Sequence, residues 1–305
     1  MAQLGSIIMR GMLIALVCFR AGGALADVDL PTKFLNQGSV ANTRHNMTQR
    51  QAAGGGPAGA TMDSYRNDYE EVCVYCHTPH GAASGQVPLW NRTIKPTTYT
   101  TYSAINSPTI TQPITQPGAN SLSCLSCHDG QTAVDSIINM PGSGRYNASQ
   151  ATSQDNAFLN SWTNTRGPDA TVHMGMKGGE CLACHTPTAG FLGAGATDFT
   201  VFVTGTDLSN DHPVGIRFPG GGVGTDFNAP TGTKGTITYF DTNGSGSLDS
   251  KDVRFYDTGQ GAEVECASCH DPHGVPSGAP GSTFNPTFLR VSNTGSQLCL
   301  TCHSK

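Results

Sequence analysis

Five Cys-x-x-Cys-His units constrain this chain more than any other feature: Cys73, Cys76 and His77; Cys124, Cys127 and His128; Cys181, Cys184 and His185; Cys266, Cys269 and His270; Cys299, Cys302 and His303. Cysteines three apart lie on one face of a helical turn, and a histidine one position further on falls on the same face. Two thiols can then add across the vinyl groups on one porphyrin edge while an imidazole comes up beneath the iron. This is the attachment pattern of a c-type haem. Zinc knuckles and disulfide frameworks also use paired cysteines, but neither requires a histidine after the second cysteine of every pair. The chain has 11 cysteines, and the only one outside the units is Cys18.

The histidine count carries the second constraint. Of 10 histidines, those outside the units are His45, His80, His173, His212 and His273. Five irons, each held from one side, need five further axial donors, so the count predicts two imidazoles per iron, with Met174 and Met176 as thioether alternatives beside His173. In Cys76-His77-Thr78-Pro79-His80-Gly81 and Cys269-His270-Asp271-Pro272-His273-Gly274, a proline before the second histidine stops the helix. His80 and His273 are therefore expected to serve neighbouring haems. Three residues span only about 10 Å, which would bring two porphyrins close together.

Hydrophobic residues make up 37% and charged residues 13% of the chain, with 38 glycines and 18 prolines. Both fractions fall below those of an ordinary globular domain, so a large aliphatic core is not expected. The fold class expected is a mostly irregular, loop-rich multihaem cytochrome c with short helical turns at the haem motifs, a small β-hairpin and a core made by stacked haems. Lys+Arg 17 against Asp+Glu 22, without a basic run, excludes a nucleic-acid partner. The units begin at 73, 124, 181, 266 and 299, intervals too uneven for a solenoid. One domain over 27–305 is expected. Residues 1–26 read as an export signal: Arg10, an apolar run over 11–19, then Ala24-Leu25-Ala26. The run is too short to span a bilayer, and no transmembrane segment is expected elsewhere.

Residues 200–204, 235–240 and 253–256 are β-prone. The last two flank a polar loop that matches the twelve-residue calcium pattern, with Asp241, Asn243, Ser245, Ser247, Asp249 and Asp252 as oxygen donors and Gly246 at the sharp turn. A calcium-binding hairpin insert over 237–257 follows, although Asp252 stands where a bidentate Glu is usual. Asp211 beside His212 is a candidate orienting partner for that imidazole. Arg44, Arg92 and Arg290 are candidates to pair with haem carboxylates.

With these phrases in view, the chain resembles the outer-surface multihaem c-type cytochromes of metal-reducing bacteria, the OmcE/OmcS type, which polymerise into extracellular conductive filaments. The likeness is carried by Asn42-Thr43-Arg44-His45-Asn46, residues 72–82, Pro88-Leu89-Trp90-Asn91-Arg92, residues 121–130, Leu208-Ser209-Asn210-Asp211-His212-Pro213-Val214-Gly215, residues 266–274 and residues 288–303. The resemblance implies bis-His haems in a continuous stack, no catalytic residue, and one haem ligated from the adjacent subunit, with His45 the expected donor. It implies electron transfer to extracellular acceptors or other cytochromes at the cell surface, by a filament of copies of this chain. The alternatives are a monomeric periplasmic shuttle and a multihaem reductase with one open haem. Five units depart from the four, six or eight haems of the filament formers compared.

Overall fold

The computed structural model describes residues 35–47, 69, 71–83, 85, 87–92, 94, 96–139, 174–188 and 198–305. The expected export signal over 1–26 and the candidate ligand His173 lie outside the described residues.

The α-helices are short, and those described coincide with Cys-His units. Helix α1 (Ala119–His128) carries the second unit, α2 (Cys266–Cys269) the fourth and α3 (Gln297–Cys302) the fifth. Single 3-10 turns at Val72–Tyr75 and Cys181–Ala183 carry the first and third. The Thr-, Ser-, Gly- and Pro-rich sequence between units offers no long apolar stripe, and helices of this length are not stable alone. Each helix ends at its unit's histidine or just before it. His270 and His303 leave α2 and α3 in extended conformation. Past α1, Gly130 takes φ +72°, and a Cβ there would lie 2.6 Å from the Met176 carbonyl oxygen.

The β structure is larger than the expected hairpin. Strands β1 (Ile216–Arg217), β2 (Gly232–Lys234), β3 (Ile237–Phe240), β4 (Val253–Asp257) and β5 (Ala262–Val264) form one antiparallel sheet in the order β1-β5-β4-β3-β2. Phe240 faces Val253 across the β3–β4 pair, and Tyr256 faces Glu263 across β4–β5. Residues 200–204, expected as β-prone, lie in turns instead. They are used to hold His128, as described below.

The apolar core is divided among small clusters. Phe218, Phe240, Val253 and Phe255 gather on one face of the sheet, with Leu298 and Cys302 of α3 against them. Phe218 stacks on Phe255 at 4.3 Å, and Phe240 meets Phe255 edge-on at 5.8 Å. Tyr69, Val74, Tyr75 and Ile137 pack beside Cys76, while Tyr99, Leu125 and Leu208 pack beside Leu122 of α1. The clusters thus sit at the Cys-His units. Among the described residues, no helix is long and apolar enough to cross a membrane.

Two buried arginines join these parts. Arg92 is 1% exposed and donates from Nε to the Ser126 hydroxyl, from Nη1 to the Val134 carbonyl, and from Nη2 to the Ser126 and Ala133 carbonyls, at 2.8–3.1 Å. Arg290, 5% exposed, donates to the carbonyls of Ala267 at 3.0 Å and Ser250 at 2.8 Å, and to Asp271 Oδ2 at 3.1 Å. Of these two candidates for haem carboxylates, Arg92 uses Nε and both terminal nitrogens on protein acceptors, and Arg290 uses Nε and Nη1.

Candidate haem-binding sites

In every unit the local backbone puts two thiols and an imidazole on one turn. The amide of the histidine donates to the carbonyl of the first cysteine at 2.8 Å in the first unit, 3.0 Å in the third, 3.1 Å in the fourth and 2.9 Å in the fifth; the second unit ends α1. None of the ten unit cysteines is in a disulfide. Burial pushes Cys266 and Cys269 up to about 11, and Cys76, Cys181 and Cys302 up to about 12.

The imidazoles are held by one nitrogen. Nδ1 of His45, His128, His212 and His270 bonds the backbone carbonyls of Pro272 (3.1 Å), Phe202 (2.7 Å), Pro213 (3.2 Å) and Thr287 (2.7 Å). His77 bonds the Pro88 carbonyl. His273 Nδ1 meets Asp271 Oδ1 at 3.0 Å. With Nδ1 as donor, Nε2 keeps its lone pair, the tautomer and orientation found in metal-bound histidines. Burial, reinforced by the charge of His128, lowers His45 to about 4, and burial also lowers His77, His128, His212 and His270. These rings are neutral near pH 7, as ligation requires. His128 is clamped further by Thr204, whose amide and hydroxyl both donate to its carbonyl, at 2.9 and 3.1 Å.

An iron held between two imidazoles at metal–nitrogen distances of about 2.0 Å separates the ring centroids by about 6 Å. His77 and His273 lie 6.1 Å apart with planes 8° from parallel, and His45 and His128 lie 6.3 Å apart at 86°. Rotation about the shared axis allows either angle. The structure therefore brings an imidazole from outside the units to the first and second units. His80 is exposed and has no ring partner among the described residues. His185 stacks on Phe199 at 3.8 Å. Within this one chain the ring of His45, expected to serve another copy, lies across from His128, bonded to the Pro272 carbonyl and stacked on Phe288 at 4.6 Å.

These residues fit a c-type haem. Each unit presents the attachment thiols and an axial imidazole together, and two units have a second imidazole at the right separation. Trp90, edge-on to His77 at 5.9 Å, has a buried Nε1 without a hydrogen-bond partner among the described residues, as expected of a site that a bound group completes.

One carboxylate ties the second unit to the fourth. Glu265, 2% exposed, accepts from the Gly118 amide at the start of α1 at 3.0 and 3.2 Å and from the Ser121 hydroxyl, which in turn accepts from the Cys266 amide at 2.8 Å. Burial pushes Glu265 up from 4.5 to about 7 despite these bonds. Between those values the folded chain binds more protons than the unfolded one, so stability falls as pH rises through the window. The urea midpoint of the holoprotein is expected to drop from about pH 5 to about pH 8, and to drop less in Glu265→Gln. An equal decline in both proteins would remove Glu265 as its source.

The loop over 241–252 closes on itself. Asp241 accepts from the amides of Ser245 at 3.0 Å and Gly246 at 2.7 Å, Asp252 from those of Thr242 at 3.1 Å and Asp249 at 2.8 Å, and Asp249 from Asn243 Nδ2 at 2.8 Å. Ser245 donates to the Ser247 carbonyl at 2.7 Å. Among the described residues, no three His, Cys, Asp or Glu side chains are grouped to hold a metal ion. The calcium expectation rests on the twelve-residue pattern.

Asp211 does not orient His212, which bonds the Pro213 carbonyl; Asp211 uses its own carbonyl to accept from the Tyr102 hydroxyl. The carboxylate that does hold an imidazole is Asp271, not singled out from sequence. Its signal was the one-residue difference between Cys-His-Asp-Pro-His and Cys-His-Thr-Pro-His.

No curated protein matches the chain. Residues 260–305, which hold β5, α2, α3 and the fourth and fifth units, match the family model described as doubled CXXCH motif. With the five units, this match makes covalently bound c haem the chemistry of these sites and points to a multihaem c-type cytochrome that transfers electrons.

Proposed function

We propose that the chain binds five c haems, holds each iron between two imidazoles, and carries electrons out of the cell as the subunit of a surface filament built from copies of itself. Bound haem supplies one-electron chemistry at iron. The observation that carries the reading is the facing of His77 with His273 and of His45 with His128. Where protein fills both axial positions, no place is left for a substrate, and the residues around the site act by orienting and shielding. Carbonyls and a carboxylate orient the rings through Nδ1. Trp90, Phe288 and Phe199 cover the imidazoles of His77, His45 and His185.

Export rests on residues 1–26, and assembly rests on the likeness to the OmcE/OmcS type. A head-to-tail contact that does not close into a ring gives an open filament. A calcium ion in the 241–252 loop belongs to the same proposal as a secondary support. Two measurements test the reading. The intact mass of the secreted holoprotein is expected to exceed that of the processed chain by five haems, and a smaller increment would refute the count. Negative-stain microscopy of the native cell-surface fraction is expected to show ordered fibres. A monomer confined to the periplasm would put the shuttle in place of the filament.

A further inference from the structure

Residues 270–273 meet imidazoles of three different units. His270 belongs to the fourth. His273 lies 6.1 Å from His77 of the first. The carbonyl of Pro272 accepts Nδ1–H of His45 at 3.1 Å, and His45 lies across from His128 of the second. Asp271 fixes this segment. Its Oδ1 accepts from His273 Nδ1 at 3.0 Å and from the His273 amide at 3.1 Å, and its Oδ2 accepts from Arg290 at 3.1 Å. Arg290 is itself buried and pinned by the Ala267 and Ser250 carbonyls. The carboxylate is therefore held in place against the imidazole.

Four other rings, those of His45, His128, His212 and His270, donate from Nδ1 to neutral carbonyls. A charged acceptor draws the Nδ1 proton more strongly and makes Nε2 the better electron donor. A better donor favours ferric over ferrous iron. The equivalent place in the first unit is Thr78, whose hydroxyl donates to the His80 carbonyl at 2.9 Å, so the two Pro-His-Gly phrases differ in this respect.

We propose that Asp271 is a positioning residue that lowers the reduction potential of the haem attached to Cys73 and Cys76, acting through His273. The proposal rests on the paired-imidazole reading above.

The test uses the full-length holoprotein, followed by visible absorption during a potentiometric titration and by electron paramagnetic resonance. In Asp271→Asn, one component of the five is expected to move upward by about tenfold in its ferrous-to-ferric ratio at fixed applied potential, 59 mV for one electron, and the low-spin g values of that same haem are expected to change. Asp271→Glu keeps the charge and should restore both. If Asp271→Asn fails to accumulate, Arg290→Gln frees the carboxylate from its competing partner and should move the same component downward with an opposite change in g values. A potential shift without a change in g values would reduce Asp271 to a bystander charge and overturn the proposal, as would five unmoved components. The underlying reading is checked separately by His273→Ala, which should leave one haem high-spin. If it does and Asp271→Asn is silent, only the role of Asp271 fails; if it does not, the ligand reading fails.

Discussion

Replacing His45 by alanine is expected to convert about one haem in five from low-spin to high-spin and to open that iron to carbon monoxide in the reduced protein. The expectation follows from the local geometry. His45 is neutral because burial lowers it to about 4, its Nδ1 is taken by the Pro272 carbonyl, and its remaining nitrogen belongs to a ring 6.3 Å from that of His128. Nothing else described stands ready to fill the position, since Phe288 offers only a ring face. Because the contact is within one chain, the wild-type spectrum should stay low-spin on dilution to monomers, and the spectrum of the variant should not depend on protein concentration. A His45→Ala protein with the wild-type spectrum would show that His128 has another partner. A wild-type spectrum that gains a high-spin component on dilution would return His45 to a neighbouring copy.

Arg92→Met is expected to be the most damaging substitution away from the haem ligands. It keeps much of the side-chain volume but deletes donors to the Ser126 hydroxyl and to the carbonyls of Ser126, Ala133 and Val134, in a place that water does not reach. A buried acceptor left without a donor costs about 1–3 kcal/mol, and the Ala133 carbonyl keeps the Ser136 amide, so the carbonyls of Ser126 and Val134 together lose roughly 2–6 kcal/mol, a large share of the stability of many domains. The yield of soluble holoprotein should collapse, or its urea midpoint should fall sharply. Arg92→Lys should recover only part of this, because one ammonium cannot span acceptors spread around a planar guanidinium. A midpoint within experimental error of wild type in Arg92→Met would mean that these carbonyls find other partners.

Much of the site is written locally and can be read before any fold is known. Spacing alone puts Cys266, Cys269 and His270 on one turn, and the amide of His270 bonded to the Cys266 carbonyl is what that spacing dictates. The extended sheet could not be read. Strands β1, β2 and β5 are two or three residues long, too short for alternation to register; β2 pairs with β3, β5 with β4, and β1 with β5. Residues 200–204 have the β-branched composition of a strand, yet the Phe202 carbonyl and Thr204 are spent on His128, a contact 74 residues distant in sequence. Arg92 and Arg290 were read as candidates for haem carboxylates because nothing in sequence reveals that carbonyls converge on them. Asp271 was overlooked for Asp211 for the same reason. Both aspartates neighbour a histidine in sequence, and only the backbone path decides which carboxylate meets a ring.

The central claim is that imidazoles meet in pairs across each iron. The most direct measurement exposes the dithionite-reduced wild-type holoprotein to carbon monoxide while its Soret and α bands are recorded. Closed pairs predict sharp low-spin ferrous bands that stay unchanged over minutes at saturating gas. Rapid conversion of any stoichiometric fraction to the carbonyl form would contradict the account and place an open iron, and with it a reductase, within this chain.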